Sequence, residues 1–152
     1  MQQFILKHFN DLTVQQLYDL LQLREEVFQL EQNCLYKDID DKDKECYHLL
    51  LYKENELMAY CRLVPKGISY DGYVSIGRVV SKTNYRKEGF GRLLMTEAMQ
   101  QIKILFPDQP IKISAQLYLQ KFYESYGFTA IGEWYMEDEI PHIAMLRNKF
   151  RC

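Results

Sequence analysis

The chain has 152 residues, enough for one domain with a real core. Apolar residues make up 47% and aromatic residues 14% of it, which excludes an intrinsically disordered chain. A formal net charge of -2 gives no basic surface for nucleic acid, and no apolar run approaches the roughly 18 residues of a membrane span.

The opening MQQFILKHFN carries a charge after six residues and has no small-residue cleavage site, so it is not read as a signal peptide. Gln3 to Phe9 reads as a short strand. Thr13-Val14-Gln15-Gln16 has the form of a capping box, and Leu17, Leu20, Leu21, Val27 and Phe28 follow at helical spacing, which predicts a helix from Val14 to Phe28. Glu31 to Glu45 is irregular and acidic. Tyr47 to Tyr52 and Leu57 to Val64 read as a hairpin joined at Glu54-Asn55. After turns at Pro65-Lys66-Gly67 and Asp71-Gly72, Tyr73 to Ser81 is a fourth strand. A long helix follows Gly89 with Phe90, Leu93, Leu94, Met99, Ile102 and Leu105 in its pattern, and Pro107 stops it. Ile111 to Ala115 is a fifth strand, and Leu117 to Tyr126 a short helix ended by Gly127. Thr129 to Tyr135 and Pro141 to Arg147 close the chain as a strand pair. The order β-α-β-β-β-α-β-α-β-β predicts an α/β fold, one mixed central sheet with helices on both faces, in a single domain over residues 1–152.

The four cysteines, Cys34, Cys46, Cys61 and Cys152, show neither a C-x-x-C pair nor zinc spacing, so reduced thiols and a cytoplasmic location are expected. The segment Asp38-Ile39-Asp40-Asp41-Lys42-Asp43 lacks the Gly and the ligand spacing of an EF-hand. It reads as a solvated acidic loop that could recruit a cationic partner. Arg24 and Arg78 lie within apolar patterns and call for carboxylate partners, for which this loop is the nearest supply.

The most informative stretch is the strand ending at Ser81, the turn Arg86-Lys87-Glu88-Gly89-Phe90-Gly91, and the helix it opens. Backbone N–H groups at a helix N-terminus have no intrahelical partner, and the helix dipole favours an anion there. Gly89 and Gly91 allow close approach of a ligand. The turn R-x-x-G-x-G is neither a P-loop nor a dinucleotide fingerprint, so the expected ligand is a pyrophosphate carried by another kind of molecule.

Arg86 to Gly91 match the [RQ]-x-x-G-x-[GA] signature of the GNAT superfamily of acyl-CoA-dependent N-acetyltransferases, whose element order is the one above. A second signature of that family resembles Phe122-Tyr123-Glu124-Ser125-Tyr126-Gly127-Phe128. A narrower resemblance, to the ElaA-like branch, rests on Leu23-Arg24-Glu25-Glu26-Val27-Phe28 with Glu31-Gln32, Cys34, Tyr36 and Asp38-Ile39-Asp40. It continues through Ile76-Gly77-Arg78-Val79-Val80, Ala115-Gln116 and Ile140-Pro141-His142-Ile143.

The resemblance implies transfer of an acetyl group from acetyl-CoA, as co-substrate, to a small-molecule or protein amine, with a homodimer among the expected partners. It implies CoA phosphates at Arg86, Lys87, Glu88, Gly89, Phe90 and Gly91. Backbone groups of Val79, Val80 and Ser81 would pair with the pantetheine arm, one N–H polarising the thioester carbonyl. Tyr123 would be the proton donor to the departing sulfur, with Tyr126 as a neighbouring competitor. Gln116 stands where many members carry Asn, longer by a methylene, as a further CoA contact. The fourth strand lacks the carboxylate that often serves as base; His142 is the first alternative for that role and Glu31 the second. A water chain would need no single base. No cysteine is placed for an acyl-enzyme, so direct transfer in a ternary complex is expected. A CoA-binding module without turnover and an acyl-homoserine-lactone-synthase-like acyltransferase are the competing readings.

Overall fold

Two apolar runs form the centre of the computed structural model, which describes residues 1–33, 35–82 and 89–148. β2 (Tyr47–Lys53) and β3 (Glu56–Val64) pair antiparallel across Glu54-Asn55, both with positive φ (52° and 64°). Such turns match the twist of the strands they join. Leu49, Leu51, Met58, Cys61 and Leu63 face one core cluster, while Leu50, Leu57 and Tyr60 face another. Both faces are therefore covered, which is why these strands read as nearly unbroken apolar runs.

On the first face lies α2 (Phe90–Leu105), burying Phe90, Leu94, Met95, Ala98, Met99 and Ile102. On the other lies α1 (Val14–Arg24), whose capping box forms as expected: Gln16 N–H donates to Thr13 Oγ1 at 3.1 Å and Thr13 N–H to Gln16 Oε1 at 3.0 Å. The predicted helix does not stop at Phe28 but continues as a π-helical turn over Glu25–Glu31, where Gln32 N–H donates to Val27 C=O at 2.9 Å. The widened turn keeps Val27 and Phe28 in the core with Leu20 and Leu23 while Glu25 and Glu26 remain exposed.

β1 (Gln2–His8) pairs with β2, and β4 (Ser75–Ser81) with β3, giving an antiparallel sheet of order β1-β2-β3-β4. A second antiparallel sheet has the order β5-β7-β6, from β5 (Ile111–Gln116), β6 (Thr129–Glu137) and β7 (Ile140–Arg147). The expected mixed sheet is thus two halves, joined among the described residues by a parallel bridge between Val74 and Ile111. There Val74 N–H donates to Pro110 C=O and Lys112 N–H to Val74 C=O. Beyond the bridge, β4 bulges: its pairing with β3 slips between Tyr60 and Arg62, and Arg78 takes φ +50°. A bulge bends its strand and sharpens the local twist, here opening β4 away from β5.

The expected helix from Leu117 to Tyr126 is a 3-10 turn (Leu117–Leu119) followed by the short α3 (Gln120–Glu124). Gly127, at φ +91°, turns the chain so that Phe128 N–H reaches Tyr123 C=O at 3.4 Å.

The acidic segment is not the solvated loop its composition suggests. Arg24, fully buried, donates to Asp38 Oδ2 and to Asp43 Oδ1, both at 2.8 Å. Arg62 holds Asp40 with two N–H groups, at 2.8 and 2.6 Å, and reaches Asp43 at 2.9 Å. Arg78 lies 2.9 Å from Asp38 Oδ1 and 3.3 Å from Asp40 Oδ2. Arg24 and Arg78 find the partners their apolar surroundings demanded; Arg62, hidden in a central strand, is the third cation.

Candidate active site

The opening between β4 and β5 is a cleft of about 580 Å³. One wall is β4. Its ladder runs to β3, and among the described residues its other side is paired only at the Val74–Ile111 bridge. Val79, Val80 and Ser81 line the cleft from that wall, so a bound chain could pair with the edge as an added strand. The side chain of Val80 is buried in the α1-side cluster, so packing and any backbone role are compatible.

At one end lies the N-terminus of α2. Gly89 takes φ +79° as the residue before the helix, and Leu93 N–H donates to its carbonyl at 3.0 Å. Gly89 and Gly91 both line the cleft, and a Cβ built on either meets no atom within 4 Å. A helix start leaves its first N–H groups without intrahelical acceptors, and here it opens beside two glycines with room around them, the arrangement the turn predicted for an anion. Phe90, counted with that turn, has its side chain buried in the core and is not part of the cleft lining. Arg86, Lys87 and Glu88 lie outside the described residues. Arg92, which the sequence reading passed over, lines the same end, its guanidinium 5.5 Å from the ring centres of Phe122 and Tyr126.

Tyr123 lines the cleft from α3 and is only 6% exposed. Burial pushes its phenol well above the usual range, so it stays protonated at any physiological pH. Tyr126 instead donates to the carbonyl of Arg92 at 3.0 Å and lies outside the cleft lining, which separates it from Tyr123.

The opposite end is formed by Val27, Phe28 and Gln32 of the π-helical turn and its exit, Tyr36, the start of β7 and the end of β5. Gln116 Nε2 donates to Gln32 Oε1 at 3.4 Å, joining the two halves of the molecule across the cleft. His142 is 8% exposed and lies opposite Gln116 in the β5–β7 register. Its Nδ1 is 2.7 Å from Ile140 C=O, so that nitrogen carries a proton, and Nε2 is 3.4 Å from Glu137 Oε2. Glu31 is exposed at the end of the π-helical turn and is not part of the lining.

Glu137 and Asp138 line this end too and were missed in the sequence. β6 was expected to stop at Tyr135; it runs to Glu137, and the hairpin turns in two residues, Asp138 (φ +50°) and Glu139 (φ +65°). Neither turn residue is the Gly that usually marks such a turn, so no local signal points to it.

A strand pair splayed at a bulge, a helix N-terminus at one end and a buried tyrosine between them match a known constellation. The family model of the acetyltransferase (GNAT) domain matches residues 8–148. The chain belongs to the GNAT acetyltransferase family. Protein ElaA of Escherichia coli K12 is 44% identical over 143 residues, covering 93% of each chain. The crystal structure of Escherichia coli ElaA is similar at a TM-score of 0.91 and 41% identity, over 97% of this chain and 100% of that one. An acyl-CoA N-acyltransferase from Pseudomonas aeruginosa gives 0.91 at 44% identity, over 97% and 99%. The GNAT fold extends at 15% identity to the PaiA N-acetyltransferase of Thermoplasma acidophilum, solved in complex with coenzyme A, at 0.67 over 96% and 99%. As a GNAT protein, the chain is an acyltransferase, and the narrower resemblance seen in its sequence, to the ElaA-like branch, agrees with these relatives.

Proposed function

We propose that this protein transfers an acetyl group from acetyl-CoA to a primary amine by direct attack within a ternary complex, as one domain spanning the chain. The observation that carries the reading is the convergence on one cleft of Tyr123, the open N-terminus of α2 and the edge of β4, which among the described residues is paired only at the Val74–Ile111 bridge. Acetyl-CoA supplies a thioester with an activated acyl carbon. The α2 N-terminus, with Gly89 and Gly91 leaving room, holds the phosphates. PaiA, with the same fold, has been solved in complex with coenzyme A.

Val79, Val80 and Ser81 hold the pantetheine arm through their backbone groups, and one N–H directed at the thioester oxygen stabilises the charge that develops there. Such a donor is worth about 2.7–4 kcal/mol in related acyl transfer. Tyr123 gives its proton to the departing sulfur, a role suited to a phenol that burial keeps protonated. His142 takes a proton from the amine at Nε2, its Nδ1–H being committed to Ile140. Gln116, which lines the cleft and is bound to Gln32 across it, is a further contact for the acetyl-CoA arm.

Direct transfer is supported by the described cysteines. Cys46 and Cys61 are buried, and burial pushes the Cys46 thiol up to about 12 and the Cys61 thiol further, so neither offers a thiolate nucleophile. Cys34 and Cys152 lie outside the described residues. The reading places the protein in the cytoplasm, where such thiols stay reduced. Within the described residues, no helix is long and apolar enough to cross a membrane. A homodimer belongs to the same proposal, and the outer strand β6 exposes Trp134 and Met136, 57% each.

Titration calorimetry with acetyl-CoA, followed by thiol release in the presence of an amine panel, tests the function. Micromolar binding and amine-dependent thiol release are expected. Binding without release for any amine leaves a CoA-binding module; no binding ends the acetyltransferase reading.

A further inference from the structure

The acyl end of the cleft sets two hydrogen-bond acceptors against each other. In the neutral imidazole of His142, with Nδ1–H donated to Ile140 C=O, Nε2 carries a lone pair. It faces Glu137 Oε2 at 3.4 Å, and a carboxylate is an acceptor only. That pair is favourable only when a donor joins it: a proton on Nε2, or a cation with several N–H groups.

Glu137 is held in this pose. Ser114 Oγ lies 3.4 Å from Glu137 Oε1 and can donate to it, and Ser114 is itself hydrogen-bonded to the Tyr135 hydroxyl. The Tyr135 ring stacks on the imidazole at 6.3 Å between centres and 23° between planes. With Oε1 engaged by Ser114, Oε2 points at His142. The other charged side chains lining this end are Asp138 and Arg78, and outside the lining Lys112 of β5 lies over the Tyr70 ring at 4.9 Å. Asp138 follows Glu137 on the turn with the same sign, and Arg78, across the cleft on β4, is committed to Asp38 and Asp40. Gln116 on β5 is uncharged.

We propose that Glu137 is the residue that selects the acceptor: a primary alkylammonium, held between Glu137 Oε2 and His142 Nε2. This rests on the acetyltransferase reading. One N–H bond of the ammonium breaks and an Nε2–H bond forms, leaving an imidazolium paired with Glu137 and a neutral amine with its lone pair available. As the C–N bond forms and the C–S bond breaks, Tyr123 gives its proton to sulfur, and the second proton shed by nitrogen passes through solvent water to the phenolate left at Tyr123. The products are the amide, the thiol and one proton on His142. An anion is repelled by Glu137, and an alcohol, with a single O–H, can donate to only one of the two acceptors at a time.

The test is an NMR titration of the full-length protein, saturated with coenzyme A, with n-butylammonium chloride and with uncharged n-butanol. The wild type is expected to bind the ammonium with shifts at His142 and Glu137, and the alcohol at least about tenfold more weakly. Glu137→Gln keeps shape and hydrogen bonding but removes the charge, and should weaken ammonium binding about tenfold or more while leaving the alcohol unchanged. Glu137→Asp should recover part of the loss. Equal ammonium binding by wild type and Glu137→Gln, equal binding of alcohol and ammonium, or a loss seen in Asp138→Asn instead, overturns the proposal. So does a wild type that does not bind the ammonium in the cleft. The coenzyme A titration comes first and judges the acetyltransferase reading by itself. If coenzyme A does not bind, the same ammonium series on the free protein still decides the role of Glu137.

Discussion

Arg78 stands with its guanidinium 5.2 Å from the ring centre of Tyr36 and its Nε 2.9 Å from Asp38 Oδ1, tying the bulge of β4 to the loop that walls the acyl end of the cleft. The bulge gives the cleft its opening, and the loop gives that end its wall, so one side chain sets the distance between them. It does so from a strained backbone, at φ +50°. Replacing it separates the two contributions. Arg78→Ala keeps the strain and loses the ion pairs; Arg78→Gly loses the same pairs but relieves the strain. The Gly variant is expected to be about 1 kcal/mol more stable than the Ala variant by urea unfolding, with both impaired in acceptor use. Equal stabilities would mean the left-handed conformation costs nothing there.

Tyr123→Phe removes a hydroxyl and little else, because the ring packs between Phe122 and Phe128 at centre distances of 5.2 and 6.1 Å. If the phenol protonates the departing thiolate, kcat falls about 10²-fold while acetyl-CoA affinity stays within a factor of two or so. Calorimetry and single-turnover rates on the same preparation check both halves. A variant with unchanged kcat would leave Tyr123 as packing.

Gly91 offers a cleaner probe of the phosphate site than Gly89, whose φ of +79° makes any side chain there strained. A side chain at Gly91 enters open space in the first turn of α2. Gly91→Glu should leave the fold as stable or slightly more so, since Glu outranks Gly in helix propensity by about 0.5–1 kcal/mol and suits the positive end of the dipole. Its carboxylate would nonetheless occupy the anion site and repel phosphate, so acetyl-CoA affinity should drop about 10²-fold. Loss of binding with an unchanged or higher Tm is the expected signature.

What could be read in the sequence was what the chain encodes locally. The Thr13–Gln16 capping box, the Glu54-Asn55 turn and the Gly127 stop each depend on residues a few positions apart, and each forms as written. The element order followed from periodicity for the same reason. The missed features depend on residues far apart: the β4 bulge needs β3 as its partner, and Arg62 meets Asp40 and Asp43 across about twenty positions. The π-helical turn is a third case, because a helical pattern of apolar residues does not distinguish a 3.6-residue turn from a slightly wider one. Of the site, the glycines and Tyr123 were legible through motif spacing. Glu137 was not, because its place depends on how many residues the β6–β7 hairpin spends in its turn.

The buried ion cluster makes stability depend on acid. Burial pushes the Asp40 carboxyl up, but the hydrogen bond and charge of Arg62, with Arg78 behind, outweigh it and hold the group at about 2. Asp43 is likewise held below the usual carboxylate range: burial raises it, and Arg24 and Arg62 more than reverse that. An unfolded Asp titrates near 3.9, so the unfolded chain binds protons first as pH falls. The stabilisation from Asp40 is then fully present above about pH 4 and lost as pH drops toward 2. Urea unfolding of wild type and Asp40→Asn should therefore differ at neutral pH and converge near pH 2, where the wild-type carboxyl is itself protonated. Asp43→Asn should cost more at neutral pH, on the order of 3–5 kcal/mol, because it strips a shared partner from Arg24 and Arg62, both buried. Parallel curves for wild type and Asp40→Asn across the whole acid range would show that Arg62 does not hold Asp40 ionised in the folded protein.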